Sequence, residues 1–135
     1  MINPDGTGNE FGCERCWPSA AAAAMEARSR LKTAAELIDE SHFHVTLRAC
    51  PACSQQYVSI FTETIDWADG EDPQYWTLMP VTPEEAARLI AAGGALTEAA
   101  LNVLGPGRRS LHHDHPKGEP ARSHWGTGVQ VGWHD

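Results

Sequence analysis

The sequence has no apolar run long enough to cross a bilayer as a helix, which takes about 20 residues, so a membrane-spanning protein is not expected. Positive charge is also scarce: 10 Lys and Arg stand against 18 Asp and Glu, for a formal net charge of −8. Phosphate backbones are gripped by clustered cations, so a general nucleic-acid binder is not expected either. The balance favours protein partners, metal ions or a basic ligand. The opening MINPDGTGNEFG has neither a basic region nor an apolar core, so no secretory signal is expected and the cytoplasm is the default compartment. Several reaction classes lose their usual markers. GPGRR and GTG lack the strand-to-helix frame of a phosphate loop, and there is no serine nucleophile elbow and no HExxH. Cysteine is rare as well, with four residues and none left over from two pairs.

The 135 residues suffice for one domain with a modest core. Residues 1–12 read as a flexible lead. From Ser19 to residue 40, Ala24, Ala27, Leu31, Ala35 and Ile38 recur at spacings of three and four, which predicts a helix. A rival reading starts that helix at Thr33, whose partner Glu36 completes a capping-box pattern, and leaves 20–30 as a loop. Phe43, Val45 and Leu47 then alternate with His44, Thr46 and Arg48, as in a half-buried strand. YVSIFTETIDW is rich in β-branched and aromatic residues and predicts a second strand. Asp69-Gly70 marks a turn, and YWTLMPV a third strand returning beside the second, with Pro80 at a strand end or edge. Thr82, Pro83 and Glu85 together start a helix that Gly93 and Gly94 stop. LTEAALNVLGPG predicts a further short helix, and GVQVGW a short strand near the end.

The cysteines carry the plainest chemistry. Cys13 and Cys16 form one CxxC pair, Cys50 and Cys53 another. A CxxC lets two thiolates bind one tetrahedral ion, and two such turns complete a closed four-thiolate site. In a reducing compartment this pattern points to metal rather than disulfides. A thioredoxin-like redox motif would need its CxxC at a helix start, whereas Cys50 lies between two predicted strands. CPACSQQY resembles the second knuckle of zinc ribbons, in which a strand leads into C-P-x-C and an aromatic opens the next strand. The resemblance spans roughly residues 11–67. It implies that Cys13, Cys16, Cys50 and Cys53 hold one zinc ion, with iron as the alternative, and that the sheet hangs from it. Two features depart from the ribbon pattern. Ser54 stands where ribbons often carry glycine, and the spacer is long enough for a helix, so treble-clef and rubredoxin-like arrangements stay open.

Five of the seven histidines follow residue 111, and LHHDHPKG packs three of them around Asp114. His112, His113, Asp114 and His115 are candidates for a second metal or a catalytic cluster, set against a solvated tail with local hydrogen bonds. HHDHPKGEPARSHW faintly resembles the Asp-His core of HNH-type nucleases, which implies His113 or His115 as activator of water and Asp114 as its orienter or as a metal ligand. The stretch ETIDWADGEDPQYW carries Glu63, Asp66, Asp69, Glu71 and Asp72; its spacing misses the EF-hand loop, so it reads as a solvated acidic hairpin or a docking face for a basic partner. Of the five tryptophans, Trp17 is expected to shield the metal, Trp67 and Trp76 to pair across the hairpin, and Trp125 and Trp133 to staple the tail to the body.

These readings converge on an α+β fold: a small antiparallel sheet with a zinc-ribbon-like four-cysteine site and two or three flanking helices. The domain is expected over 13–107, followed by a His/Gly-rich segment over 108–135. The expected role is that of a zinc-stabilised, non-catalytic module that binds another protein, with a metal-dependent nuclease or metal-handling protein as the alternative.

Overall fold

The computed structural model describes residues 11–131. The expected lead, His134 and Trp133 fall wholly or largely outside them. The centre is a six-stranded antiparallel meander in which every strand pairs with its sequence neighbour. The strands are β1 (Lys32–Glu40), β2 (Phe43–Ala49), β3 (Gln56–Glu63), β4 (Gln74–Val81), β5 (Arg109–His115) and β6 (Arg122–Thr127). The helices are α1 (Ala21–Arg28) ahead of the sheet, and α2 (Pro83–Ala92) and α3 (Glu98–Asn102) between β4 and β5. Among the described residues the fold is therefore α+β with an open antiparallel sheet and three α-helices, none of them long and apolar enough to cross a membrane.

Both faces of the sheet carry a buried layer, with different partners. On one, Phe43, Val45 and Leu47 of β2 meet Val58 and Ile60 of β3 and Met79 and Val81 of β4 under Ala86, Leu89 and Leu101 of the later helices. On the other, Tyr57, Leu78 and Leu111 pack with Ala24 of α1, Leu31, Trp17, Cys16 and Cys50. The cysteine turns are thus part of a hydrophobic layer.

The long helix expected from residue 19 ends at Arg28, and Lys32–Glu40 is a strand, which also removes the rival start at Thr33. The reason lies in the pairing with β2, whose register shifts between Thr33 and Ala35 and again between Glu36 and Ile38. Each bulge inserts a residue. Ala35 and Ile38, three apart, therefore both reach the core side opposite Leu47 and Val45, a spacing that imitates a helix. The bulges, together with exposed Lys32, Glu36, Asp39 and Glu40, also guard this edge strand against pairing with other chains.

The region after residue 108 supplies β5 and β6, which extend the sheet beside β4. The short strand expected at GVQVGW is not formed over the described residues 128–131; Val129 instead caps the first core. Pro80 lies in β4 beyond the last residue paired with β5, so no ladder bond to β5 is lost. The start of α2 follows the expected chemistry. Thr82 Oγ1 accepts the Glu85 N–H at 3.1 Å and Glu85 Oε1 accepts the Thr82 N–H at 2.9 Å. The same Glu85 oxygen binds Arg108 Nη1 at 2.6 Å, and that nitrogen also donates to the Pro80 carbonyl at 3.0 Å. One buried carboxylate thereby joins α2 to β4 and to the start of β5. Glu85→Ala removes half of the capping box and leaves Arg108 without its anion, so it should lower folding stability by about 2–4 kcal/mol in urea titrations.

Candidate metal centre

Two turns build the site. In the first, the N–H groups of Cys16 and Trp17 both donate to the Cys13 carbonyl, at 3.2 and 2.8 Å, closing Cys13–Cys16 into a loop ahead of α1. The second is the β2–β3 connection. Ser54 N–H donates to the Cys50 carbonyl at 2.8 Å, Cys50 N–H to the Gln55 carbonyl at 2.9 Å, and Ala52 N–H to Cys50 Sγ at 3.3 Å. The antiparallel β2–β3 ladder begins immediately beyond, at Ala49 and Gln56.

The turns bring all four sulfurs within 4.8 Å of one another. Cys13 Sγ lies 3.8 Å from Cys16 Sγ and 3.9 Å from Cys50 Sγ, and Cys16 Sγ lies 3.7 Å from Cys53 Sγ. A tetrahedron of metal–thiolate bonds near 2.3 Å has edges of about 3.8 Å. The donor set therefore fits one four-coordinate ion, and none of the four thiols is in a disulfide. With all four positions taken by sulfur, such an ion holds shape and offers no open place for a substrate. No other group of three or more His, Cys, Asp or Glu side chains converges this way among the described residues.

The surroundings are asymmetric. Cys16 and Cys50 are buried, Cys13 is half-buried and Cys53 is exposed at the rim. The Cys16 N–H beside it leads in drawing the Cys13 thiol down to about 7, whereas burial pushes Cys16 up to about 12. Burial also raises Cys53. Tyr57 Oη sits 3.0 Å from Cys16 Sγ, and burial followed by the neighbouring sulfur raises its pKa, so the phenol keeps its proton to donate. Trp17 shields the cluster as expected, packing 5.2 Å from Tyr57 and 5.0 Å from Trp125. Trp125 Nε1 donates to the Ser19 carbonyl at 2.8 Å, and Arg109 lies over both indoles.

Two residues that sequence reasoning passed over hold the turns together. Gln55 Oε1 accepts the Gly12 N–H at 3.1 Å, while its Nε2 donates to the Gln56 and Val81 carbonyls at 2.8 and 2.9 Å. It thus binds the approach to the first turn to the end of β4. Gly12 has φ +70°, and a Cβ there would stand 2.5 Å from Tyr57 Oη and 3.0 Å from Cys16 Sγ. A glycine immediately before a CxxC is the signal that could have marked this position.

The histidine run behaves differently from the cysteines. As consecutive residues of β5, His112, His113, Asp114 and His115 alternate between the faces of the sheet. His112 is buried, with Nε2 2.8 Å from Ser110 Oγ, and it stacks on His124, which in turn binds Asp114 at 2.6 Å. His113 points the other way and meets Ser123 Oγ at 2.8 Å, and His115 is exposed. These four side chains do not close on a common point. Glu63 binds His42 and Gln74, Asp66 and Asp69 bind Lys117, Glu71 accepts the Gly118 N–H and Asp72 the Asp66 N–H.

The fold and the cluster define an α+β protein with a four-cysteine site that could hold a metal ion and is consistent with a zinc-ribbon-like centre. Comparison with protein-family models, curated proteins and solved structures finds no match for this chain.

Ser54 has φ 68° and is the one non-glycine residue with positive φ among those described. That backbone conformation explains why glycine is usual at this place in a ribbon knuckle. Ser54→Gly should therefore stabilise the protein by about 0.5–1 kcal/mol, read as a higher denaturation midpoint. The thiol environments also set a pH dependence. At neutral pH Cys16 and Cys53 hold protons that a bound cation must displace, and Cys13, at about 7, holds roughly half of one. Zinc uptake at pH 7 should release about two or more protons per ion, and affinity should weaken as pH falls. Calorimetry in buffers of different ionisation enthalpy measures both.

Proposed function

We propose that this chain is a zinc-stabilised protein-interaction module whose contact point is the β3–β4 loop. The observation that carries the reading is Trp67, which is 89% exposed at the tip of that loop. Large aromatics are normally buried, and an exposed tryptophan in an ordered turn is the kind of anchor that dominates interface energies. The expected pairing of Trp67 with Trp76 does not occur. Trp76 packs on Phe61 across β3, at 4.8 Å, and leaves Trp67 facing solvent.

The loop is held in shape. Asp66 accepts the N–H groups of Ala68, Asp69 and Glu71 at 3.2–3.3 Å, and the Asp66 N–H donates to Asp72 at 2.8 Å. Lys117, in the β5–β6 turn, bridges Asp66 and Asp69 at 3.0 and 2.8 Å, and Gly118 N–H donates to Glu71 at 3.1 Å. A preformed loop loses little entropy when a partner binds it. The remaining acidic side chains around Trp67 suit a partner with a basic rim about an apolar pocket.

Zinc is the ion we assign. The four sulfurs match its tetrahedral preference, and a rim thiolate open to water suits an ion without redox chemistry. Its part is structural, because it ties the turn before α1 to the β2–β3 hairpin.

Elemental analysis should find about one zinc per chain in reduced protein and a large loss in Cys50→Ser, whose unfolding temperature should also fall. Quantitative affinity capture with matched wild-type and Trp67→Ala baits tests the contact. A partner enriched on wild type should fall by about tenfold or more on the variant, the scale of an interface anchor. Equal capture by both baits would remove the loop from the reading.

A further inference from the structure

The face of the sheet that carries α1 is only partly covered, because α1 rests on β5 and β6. Where α1 ends, four aromatic rings lie in one row across four neighbouring strands. His44 pairs with Phe61, Phe61 with Trp76, and Trp76 with His113, and the successive ring centroids are 5.8, 4.8 and 5.5 Å apart. All four are half-buried, so each ring contributes to the surface. Strands spaced about 4.8 Å apart give the row a length of roughly 14 Å.

This row borders two arginines without carboxylate partners among the described residues of an acidic protein. Arg28, at the end of α1, reaches over the Trp76 ring at 5.9 Å. Arg48 stands on β2 on the same face as His44, its Nε donating to Thr46 Oγ1 at 3.3 Å. Neither arginine has a carboxylate partner among the described residues, and Arg28 Nε is buried without any hydrogen-bond partner. Burial and then the charge of Arg48 both bear on the Arg28 guanidinium, so two like charges sit together with no anion between them. Arg30 and Lys32 follow in the chain and are exposed. Of the acids on this face, Asp39 is taken up by His44 at 3.2 Å, Glu63 by His42 and Gln74, and Glu36 stands exposed opposite Thr46.

We propose that this face binds a short single-stranded nucleic acid, with bases stacked on Trp76 and Phe61 and phosphates held by Arg28 and Arg48. Each element of the ligand answers an unmet feature. The rings offer flat apolar surface that bases can cover without sequence preference. The arginines present forked donors suited to phosphate. A neutral sugar would use the rings and leave the arginines unmatched, and an acidic peptide would do the reverse. An open row, as opposed to an enclosed cleft, suits a strand that continues past it on both sides. The net charge of −8 confines the contact to a few nucleotides, so the affinity is modest and sensitive to salt.

The test is fluorescence anisotropy of labelled oligothymidine and oligouridine, about ten nucleotides long, with the full zinc-loaded chain. Saturable binding of either probe at about 0.05 M salt is expected, weakening roughly sevenfold by about 0.2 M if two phosphates are held. Trp76→Ala should weaken binding by about five- to a hundredfold, the range for one lost base stack. Arg28→Gln and Arg48→Glu leave the ring row in place, so they keep the test decisive if Trp76→Ala unfolds; each should weaken binding, Arg48→Glu by about tenfold or more, and flatten the salt dependence. The proposal is overturned if neither probe binds at low salt, if the folded variants bind as wild type does, or if polyglutamate displaces the probe as well as unlabelled oligonucleotide.

Discussion

The structure depends on closing one short turn onto another across 37 residues of chain. Four sulfurs meet where the turn before α1 touches the β2–β3 connection, and without that meeting α1 has little else to hold it. The helix has only eight residues, no side-chain cap and a run of alanines, so it would not persist alone. Its buried Ala24 faces a layer made of Trp17, Tyr57, Leu78, Leu111 and the cysteines themselves. Thiolates repel one another when brought to 3.7–3.9 Å, and a divalent cation reverses the sign of that interaction. The protein contributes the supports: the Tyr57 hydroxyl, the N–H groups aimed at sulfur, the Gln55 amide, and a glycine where no Cβ fits.

That clamp divides the labour between the two faces of the sheet. The face under α2 and α3 is a conventional aliphatic core, and Glu85 with Arg108 locks its rim. The opposite face is half cysteine layer and half open platform. A short helix anchored at one end by the cysteine turns rests mainly on β5 and β6, which is why the row from His44 to His113 stays half-exposed. The same economy leaves the β3–β4 loop projecting, steadied by Lys117 from the neighbouring turn and not by the core.

Much of this was legible in the chain. The alternation of Phe43, Val45 and Leu47, the β-branched run of β3, the capping box at Thr82 and the glycines after α2 each express a local rule that the fold obeys. The cysteines were legible because the CxxC spacing is itself the ligand geometry. The failures came where non-local pairing overrode a local signal. Two bulges let Ala35 and Ile38 share a face at helical spacing, so β1 was mistaken for helix. The histidine run looked like a ligand cluster because its residues are adjacent in sequence, yet adjacency in a strand sends alternate side chains to opposite faces. Trp67 and Trp76 seemed partners because both lie near one turn, but the register pairs Trp76 with Phe61.

The sequence by itself determined the two pairs of thiols, the short-range caps and turns, and the strong negative charge, since each follows from residue type and spacing within a few positions. Only the tertiary structure decided that Lys32–Glu40 would be an edge strand, that the histidines would be divided between two faces, and that Arg28 and Arg48 would border a row of rings drawn from four strands. These outcomes depend on the register between segments far apart in the chain, and no local pattern encodes a register whose partner strand has yet to be placed.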